Sequence, residues 1–200
     1  MRLPNNASHR ELLECPAMLN QLALDVGQQL DWSKDNSRTP QLNASYRQHV
    51  ALTPSSDNKS DWMMDQCLSL VDWCEQNLFS YKTKCMRLAF HRTEPGAVVP
   101  THIDSWLFHT LCHRVHLPLT GTAIHISEGT EIEFRKGWFT ELNNKVWHSV
   151  RSVDERTNLV LDFCSTSILE HLNLSDHDWK TNIAQEQRAT VHMLKGAAYK

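Results

Sequence analysis

"CMRLAFHR", residues 85–92, puts Met86, Leu88 and Phe90 on one side of an extended chain and Arg87, Ala89 and His91 on the other. Side chains alternate faces along a strand, so this period of two predicts a half-buried β-strand. Just upstream the period is different. Over 61–79, Met63, Cys67, Leu70, Cys74 and Leu78 recur every three to four residues and draw one stripe down a helix. The change after Tyr81 therefore separates a helical part from a β part. Strand-like runs follow at 98–102, 114–119, 122–127, 131–135, 137–142, 146–151 and 157–163, parted by Gly96, Gly121, Gly129 and Gly137. Connections this short cannot hold the crossover helices of a parallel sheet. The predicted fold is mainly β with flanking helices, a sandwich or closed jelly roll.

Outward from this core the signals weaken. Residues 8–30 carry Leu12, Leu13, Met18, Leu22, Leu24 and Val26 at roughly helical spacing, and Ser8 with Glu11 has the form of a capping box, so a helix is predicted there. Residues 32–56 are polar, with Pro40 and Pro54, and read as loop with room for a short strand. In the tail, Ser175 or Asp176 can cap a helix bearing Trp179, Ile183, Val191 and Leu194. Two hundred residues with 40% hydrophobic content make one domain the expectation. It divides into a helical 1–80, a β core at 85–163 and a helical 165–200.

A formal charge of −3, with Lys and Arg scattered, gives no footprint for a phosphate backbone, so no nucleic-acid partner is expected. A small-molecule or protein-side-chain substrate is. Cys15, Cys67, Cys74, Cys85, Cys112 and Cys164 form no CxxC pair and read as reduced, buried thiols. No apolar run resembles a signal peptide or a membrane span, so the expectation is a soluble, cytoplasmic protein without a membrane partner. Four N-x-[ST] sequons, at Asn6, Asn43, Asn58 and Asn173, are then chance matches.

Chemistry concentrates in "THIDSWLFHTLCHRVHLPLTG", residues 101–121. His102 and Asp104 stand two apart at a strand end, where both side chains point one way. His148, in "VWHSVRS", can reach the same point from a neighbouring strand. Two histidines and a carboxylate on one face of a divalent metal form the facial triad of non-haem Fe(II) oxygenases, which leaves positions open. One HxD is expected by chance in a chain with this many His and Asp, so the tripeptide needs its context. Arg156 supplies some: it opens the apolar strand "TNLVLDF", where a guanidinium requires an anion, either a bound carboxylate or its neighbours Asp154 and Glu155. Arg114 and His116 share a face, lining a wet pocket or facing solvent. Arg87 and His91 share the polar face of the first core strand and can look into the same cavity. His109 and His113 are expected to be solvated loop residues, His125 a satisfied structural histidine, and Trp138 and Trp147 core residues.

The order of these pieces resembles the aspartyl/asparaginyl β-hydroxylase family of Fe(II)/2-oxoglutarate dioxygenases. A Pro-Gly turn leads to HxD, then "RVHLPLTG", then "KGWFTELNNKVWHSVRS", then an Arg before "TNLVLDF", all within 85–163. The resemblance implies a double-stranded β-helix of cupin-like form. It implies that His102 and His148 bind iron, that Arg156 holds the distal carboxylate of 2-oxoglutarate, and that Arg114 and His116 also line the cosubstrate site, with O2 as oxidant. Asp104 departs from the animal aspartyl hydroxylases, which lack a carboxylate there; it completes the triad, as in similar bacterial enzymes that hydroxylate free amino acids such as proline. The substrate class implied is an amino-acid side chain, free or peptidyl, with Arg87 and His91 placed to hold its carboxylate. Two alternatives compete: a cupin-like zinc protein with a hydrolytic or binding role at the same three ligands, and a non-catalytic β scaffold.

Overall fold

A computed structural model describes residues 8–33, 46–52, 62–104, 109 and 111–171. The alternation that starts at residue 85 is realised as eight strands: β3 (Thr83–Thr93), β4 (Val98–His102), β5 (His113–Pro118), β6 (Ala123–Ser127), β7 (Thr130–Glu133), β8 (Trp138–Leu142), β9 (His148–Ser152) and β10 (Arg156–Ser165). Two more precede them, β1 (His9–Glu14) and β2 (Tyr46–Leu52). A six-stranded sheet in the order β1-β8-β5-β10-β3-β2 faces a four-stranded sheet, β4-β9-β6-β7, and every pairing is antiparallel. This is the double-stranded β-helix that the short connections predict. Helices α1 (Ala17–Gln29), α2 (Trp62–Gln66) and α3 (Leu68–Asn77) accompany the large sheet, and α4 (Thr166–His171) follows β10. No helix among the described residues is long and apolar enough to cross a membrane.

The N-terminal helix predicted over 8–30 begins later than the periodicity suggests. Residues 9–14 form the edge strand β1, with His9 opposite Leu142 and Glu14 opposite Trp138. Arg10 donates to Glu141 at 2.6 Å, and the Cys15 N–H continues the ladder to Gly137 O at 2.7 Å. Tertiary pairing overrides local propensity here, and Pro16 caps α1 without any contribution from the Ser8/Glu11 box. The 61–79 stripe is as predicted: Met63, Cys67, Leu70, Cys74 and Leu78 are all buried, although the helix breaks at Cys67. All six cysteines are free and buried. The tail helix predicted around 179–194 lies outside the described residues.

The main hydrophobic core is not inside the barrel. Leu88, Phe90, Val115, Leu117, Phe139, Leu159, Leu161 and Phe163 point outward from the large sheet and form one buried cluster with Val26, Leu70, Cys74 and their helical neighbours. Alternation then turns Arg87, His91, Arg114, His116, Asn158 and Asp162 inward, toward the small sheet. Contacts across the barrel are accordingly polar or aromatic, apart from a small apolar cluster of Ile132, Phe134 and Leu142. Thr93 and Ser152 hydroxyls meet at 2.5 Å, and the rings of His116 and His125 lie 5.3 Å apart.

Candidate metal and cosubstrate site

His102, the last residue of β4, lies directly opposite His148, the first of β9. Their ring centroids are 4.3 Å apart. Asp104 sits two residues past His102, and its N–H donates to Asn144 O at 3.0 Å. That bond ties the "NN" of the "NNKVWHSV" segment to the HxD turn and brings the carboxylate to the histidines. One ligand atom from each of His102, Asp104 and His148 lies within 4.8 Å of the others, the one such cluster among the described residues. Both imidazoles are pre-set. His102 Nδ1–H donates to Pro100 O at 2.7 Å and His148 Nδ1–H to Val146 O at 2.9 Å. Each Nε2 is thereby left with its lone pair, and these face Asp104 at 3.7 and 4.0 Å. Carbonyl-anchored imidazoles around a carboxylate are the chemistry a divalent metal requires.

Charge balance favours the same conclusion. Burial opposes ionisation of Asp104, but the Arg114 guanidinium, with His109 and His148, outweighs it and holds the carboxyl well below the usual carboxylate range. Burial lowers the His148 pKa, keeping the ring in the neutral, ligating form.

Deeper in the barrel, Arg156 opens β10 and is 5% exposed. Burial brings its pKa down from 12.5 to about 10. It has no carboxylate partner among the described residues: Glu155, the neighbour weighed as its partner, pairs with Arg92 at 2.8 Å. The one hydrogen bond of Arg156 among the described residues is from Nη1 to Nε2 of His125, at 3.3 Å. His125 accepts there, so its hydrogen is on Nδ1. Asn158 Nδ2 donates to His116 Nδ1 at 3.1 Å, so the hydrogen of His116 is on Nε2. Arg156 Nε, His125 Nδ1, His116 Nε2 and the hydroxyls of Ser127 and Thr140 are all buried without a partner. A barrel interior lined by unsatisfied donors around a cation with no carboxylate partner among the described residues fits an acceptor-rich anion.

The remaining sequence-predicted residues fall as follows. Arg114 is buried and bound to Asp104 and Asp162, with Nε to Asp162 Oδ1 at 2.8 Å. Arg87 donates to Asp162 at 2.8 Å and is partly exposed. His91 is on the inner face with its ring 5.4 Å from Tyr46. His125 is not satisfied as expected, since its Nδ1 is one of the orphans. His113 is not solvated: it is wedged between Tyr81 Oη and Glu141 Oε1, each at 2.6 Å, on the outer face. His109 lies against Asp104, Nδ1 to Oδ1 at 3.5 Å. Trp147 is 58% exposed, not core, because its neighbour His148 takes the inward direction; Trp138 is half-buried under Arg135. Asp162 and Asn158 were missed. Their signal was present, two polar residues at period two inside the apolar run "TNLVLDF".

A family model described as Aspartyl/Asparaginyl beta-hydroxylase matches residues 24–166. No curated protein matches the sequence significantly. Among solved structures, the chain is similar to a 2OG-Fe(II) oxygenase family oxidoreductase from Burkholderia pseudomallei, with TM-score 0.57 and 12% identity over 82% of this chain and 93% of that one. It is also similar to a Pseudomonas putida prolyl-4-hydroxylase, with TM-score 0.53 and 18% identity over 80% and 94%. A third is the viral collagen prolyl hydroxylase of Paramecium bursaria Chlorella virus-1, with TM-score 0.53 and 9% identity over 82% and 99%. At these identities the structures establish the shared fold.

Proposed function

Since this chain belongs to the aspartyl/asparaginyl β-hydroxylase family, we propose that His102, Asp104 and His148 are its iron ligands and that Arg156, with His116 and Arg114 alongside, forms its cosubstrate site. The enzyme is a 2-oxoglutarate-dependent dioxygenase, a hydroxylase that uses Fe(II), 2-oxoglutarate and O2. Bound iron supplies the oxidation of a C–H bond by O2, coupled to conversion of 2-oxoglutarate to succinate and CO2. The chain's own residues do the rest. The Nδ1 bonds of His102 and His148 aim their Nε2 lone pairs; Arg156 draws one carboxylate of the cosubstrate into the barrel; the donors of His116 and His125 replace the water it leaves behind.

The substrate in this reading is an amino acid, free or within a peptide, hydroxylated on its side chain. Arg87 uses one Nη on Asp162 and has the rest of its fork for a substrate carboxylate, with His91 beside it on the same strand face. The six buried free thiols fit a reducing compartment such as the cytoplasm.

The observation that carries this reading is Arg156, a buried cation with no carboxylate partner among the described residues, in the same barrel as a His₂-carboxylate cluster. Anaerobic titration of the metal-free protein with Fe(II) and then 2-oxoglutarate tests it. The visible metal-to-ligand charge-transfer band of the chelate should appear, and should be absent in His148→Ala. Iron binding without the band, or binding of zinc alone, would transfer the site to the zinc reading.

A further inference from the structure

The inner face of the large sheet holds a carboxylate that the reaction outlined above does not use. Asp162 is 0% exposed and lies in register between Arg87 on β3 and Arg114 on β5. Arg114 donates to it twice, Nε to Oδ1 at 2.8 Å and Nη2 to Oδ2 at 3.1 Å. Arg87 Nη1 donates to Oδ2 at 2.8 Å. The other end of Arg114 goes to the metal cluster: Nη1 donates to Asp104 Oδ2, and Nη2 also lies 3.2 Å from His109 Nδ1. A guanidinium has five N–H groups in a fixed fork. Arg114 has committed nearly all of them inside the protein, whereas Arg156 has not.

We propose, on the reading that His102, Asp104 and His148 hold the metal, that Arg114 and Asp162 are positioning residues for Asp104. Asp162 fixes the guanidinium plane of Arg114. Arg114 occupies Oδ2 of Asp104, and Oδ1, which faces His102 Nε2 at 3.7 Å with His109 Nδ1 at 3.5 Å, is the oxygen turned to the metal. Asp104 needs this hold because it lies beyond the end of β4, where its backbone N–H donates to Asn144 O. A carboxylate that turned both oxygens to the metal would take a position that the cosubstrate or O2 requires. The arrangement also accounts for a buried charge row, Arg87–Asp162–Arg114, that stability alone gives little reason to keep. Arg114 therefore serves the cosubstrate through Asp104, and the direct grip is left to Arg156.

The test is metal affinity, measured anaerobically with Fe(II) and with Mn(II) as a redox-quiet probe. Asp162→Asn should weaken metal binding by about 10- to 100-fold, the range typical of lost outer-shell partners. Arg156→Met should leave metal affinity unchanged and weaken 2-oxoglutarate instead. In an Asp104→Ala background, Asp162→Asn should add no further loss, since the residue it acts through is gone. If Asp162→Asn fails to fold, Arg114→Lys carries the same expectations, because an ammonium cannot span both carboxylates. Unchanged metal affinity in a folded variant, or an equal loss with and without Asp104, overturns the positioning role while leaving the dioxygenase reading intact. A wild-type protein that binds neither metal would instead remove the metal site, and the proposal with it.

Discussion

Replacing Arg156 with Met should stabilise the metal-free protein while it destroys cosubstrate binding. The magnitude follows from burial. Arg156 is 5% exposed, and desolvation lowers its pKa from 12.5 to about 10, a penalty of roughly 3 kcal/mol for holding the charge there. Because the folded-state value is the lower one, this penalty is present at every pH below about 10 and fades only above it. The bond to His125 that the variant loses offsets about 1 kcal/mol of the gain. A net stabilisation of about 2 kcal/mol remains, which for a chain of this size raises Tm by roughly 4–8 °C. Urea denaturation of the metal-free wild type and Arg156→Met at neutral pH reads the difference directly. Adding Mn(II) and 2-oxoglutarate should then reverse the order, since ligand at a hundred times Kd stabilises a binding-competent protein by about 2.7 kcal/mol and the variant gains little. A variant that is less stable than wild type without ligand would mean that Arg156 is satisfied within the protein, and its assignment as an anion clamp would fall.

Two further perturbations read other parts of the same chamber. His91, His116 and His125 are held neutral, by burial first and then by neighbouring arginines, with pKa values well below 6.5. The unfolded chain therefore takes protons first as pH falls, so stability present above pH 6.5 is lost below it. The loss approaches about 1.4 kcal/mol per pH unit for each ring and about 4 for the three together. Denaturant midpoints recorded between about pH 7 and pH 5 check this, and a flat profile there would show that the rings are solvated. Gly121, at φ +64°, ends the "RVHLPLTG" segment, and a Cβ there would lie 2.2 Å from Glu155 O and 2.9 Å from Arg156 Cα. Gly121→Ala should cost more than about 3 kcal/mol and displace Arg156, raising the Kd for 2-oxoglutarate. Gly129→Ala, at φ +82° with nothing within 4 Å, carries the backbone strain alone. Equal effects of the two substitutions on stability and on cosubstrate binding would refute the link between Gly121 and Arg156.

The sequence made the β core legible because its strands obey one rule. In the large sheet the central strands have an apolar face toward the helices and a polar face toward the barrel, so period two is visible in "CMRLAFHR" and again in "TNLVLDF". The His102–Asp104 part of the candidate metal cluster was legible for a related reason, since HxD at a strand end is a local geometry. What was hidden depended on pairing across the fold. β1 reads as helix until Glu141 and Gly137 are in place to receive it. The state of His113 depends on Tyr81 and Glu141, far away in sequence, and Asp162 has meaning only between two arginines brought beside it by register. The orphan donors of His116 and His125 are more remote still, because they follow from which ring nitrogen Asn158 and Arg156 occupy.

That division has a physical source in where the core lies. In most sandwiches the space between the sheets is the hydrophobic core, and polar groups there are costly. Here the large sheet buries Leu88, Phe90, Val115, Leu117, Phe139, Leu159, Leu161 and Phe163 against the helices, so its outer face carries the stabilising apolar burial. The inner face is released from packing, apart from small or medium residues such as Ala89 and Val160. It can hold the carboxylate of Asp162, the guanidinium groups of Arg87, Arg114 and Arg156 and the rings of His91 and His116 in register, at separations fixed by the sheet spacing. The His102–Asp104–His148 cluster and the buried Arg156 together set the charge of what such a barrel would hold. Asp162 and Asp104 neutralise Arg87 and Arg114 within the protein, so among the described residues of the barrel Arg156 is left as the cation without a carboxylate partner.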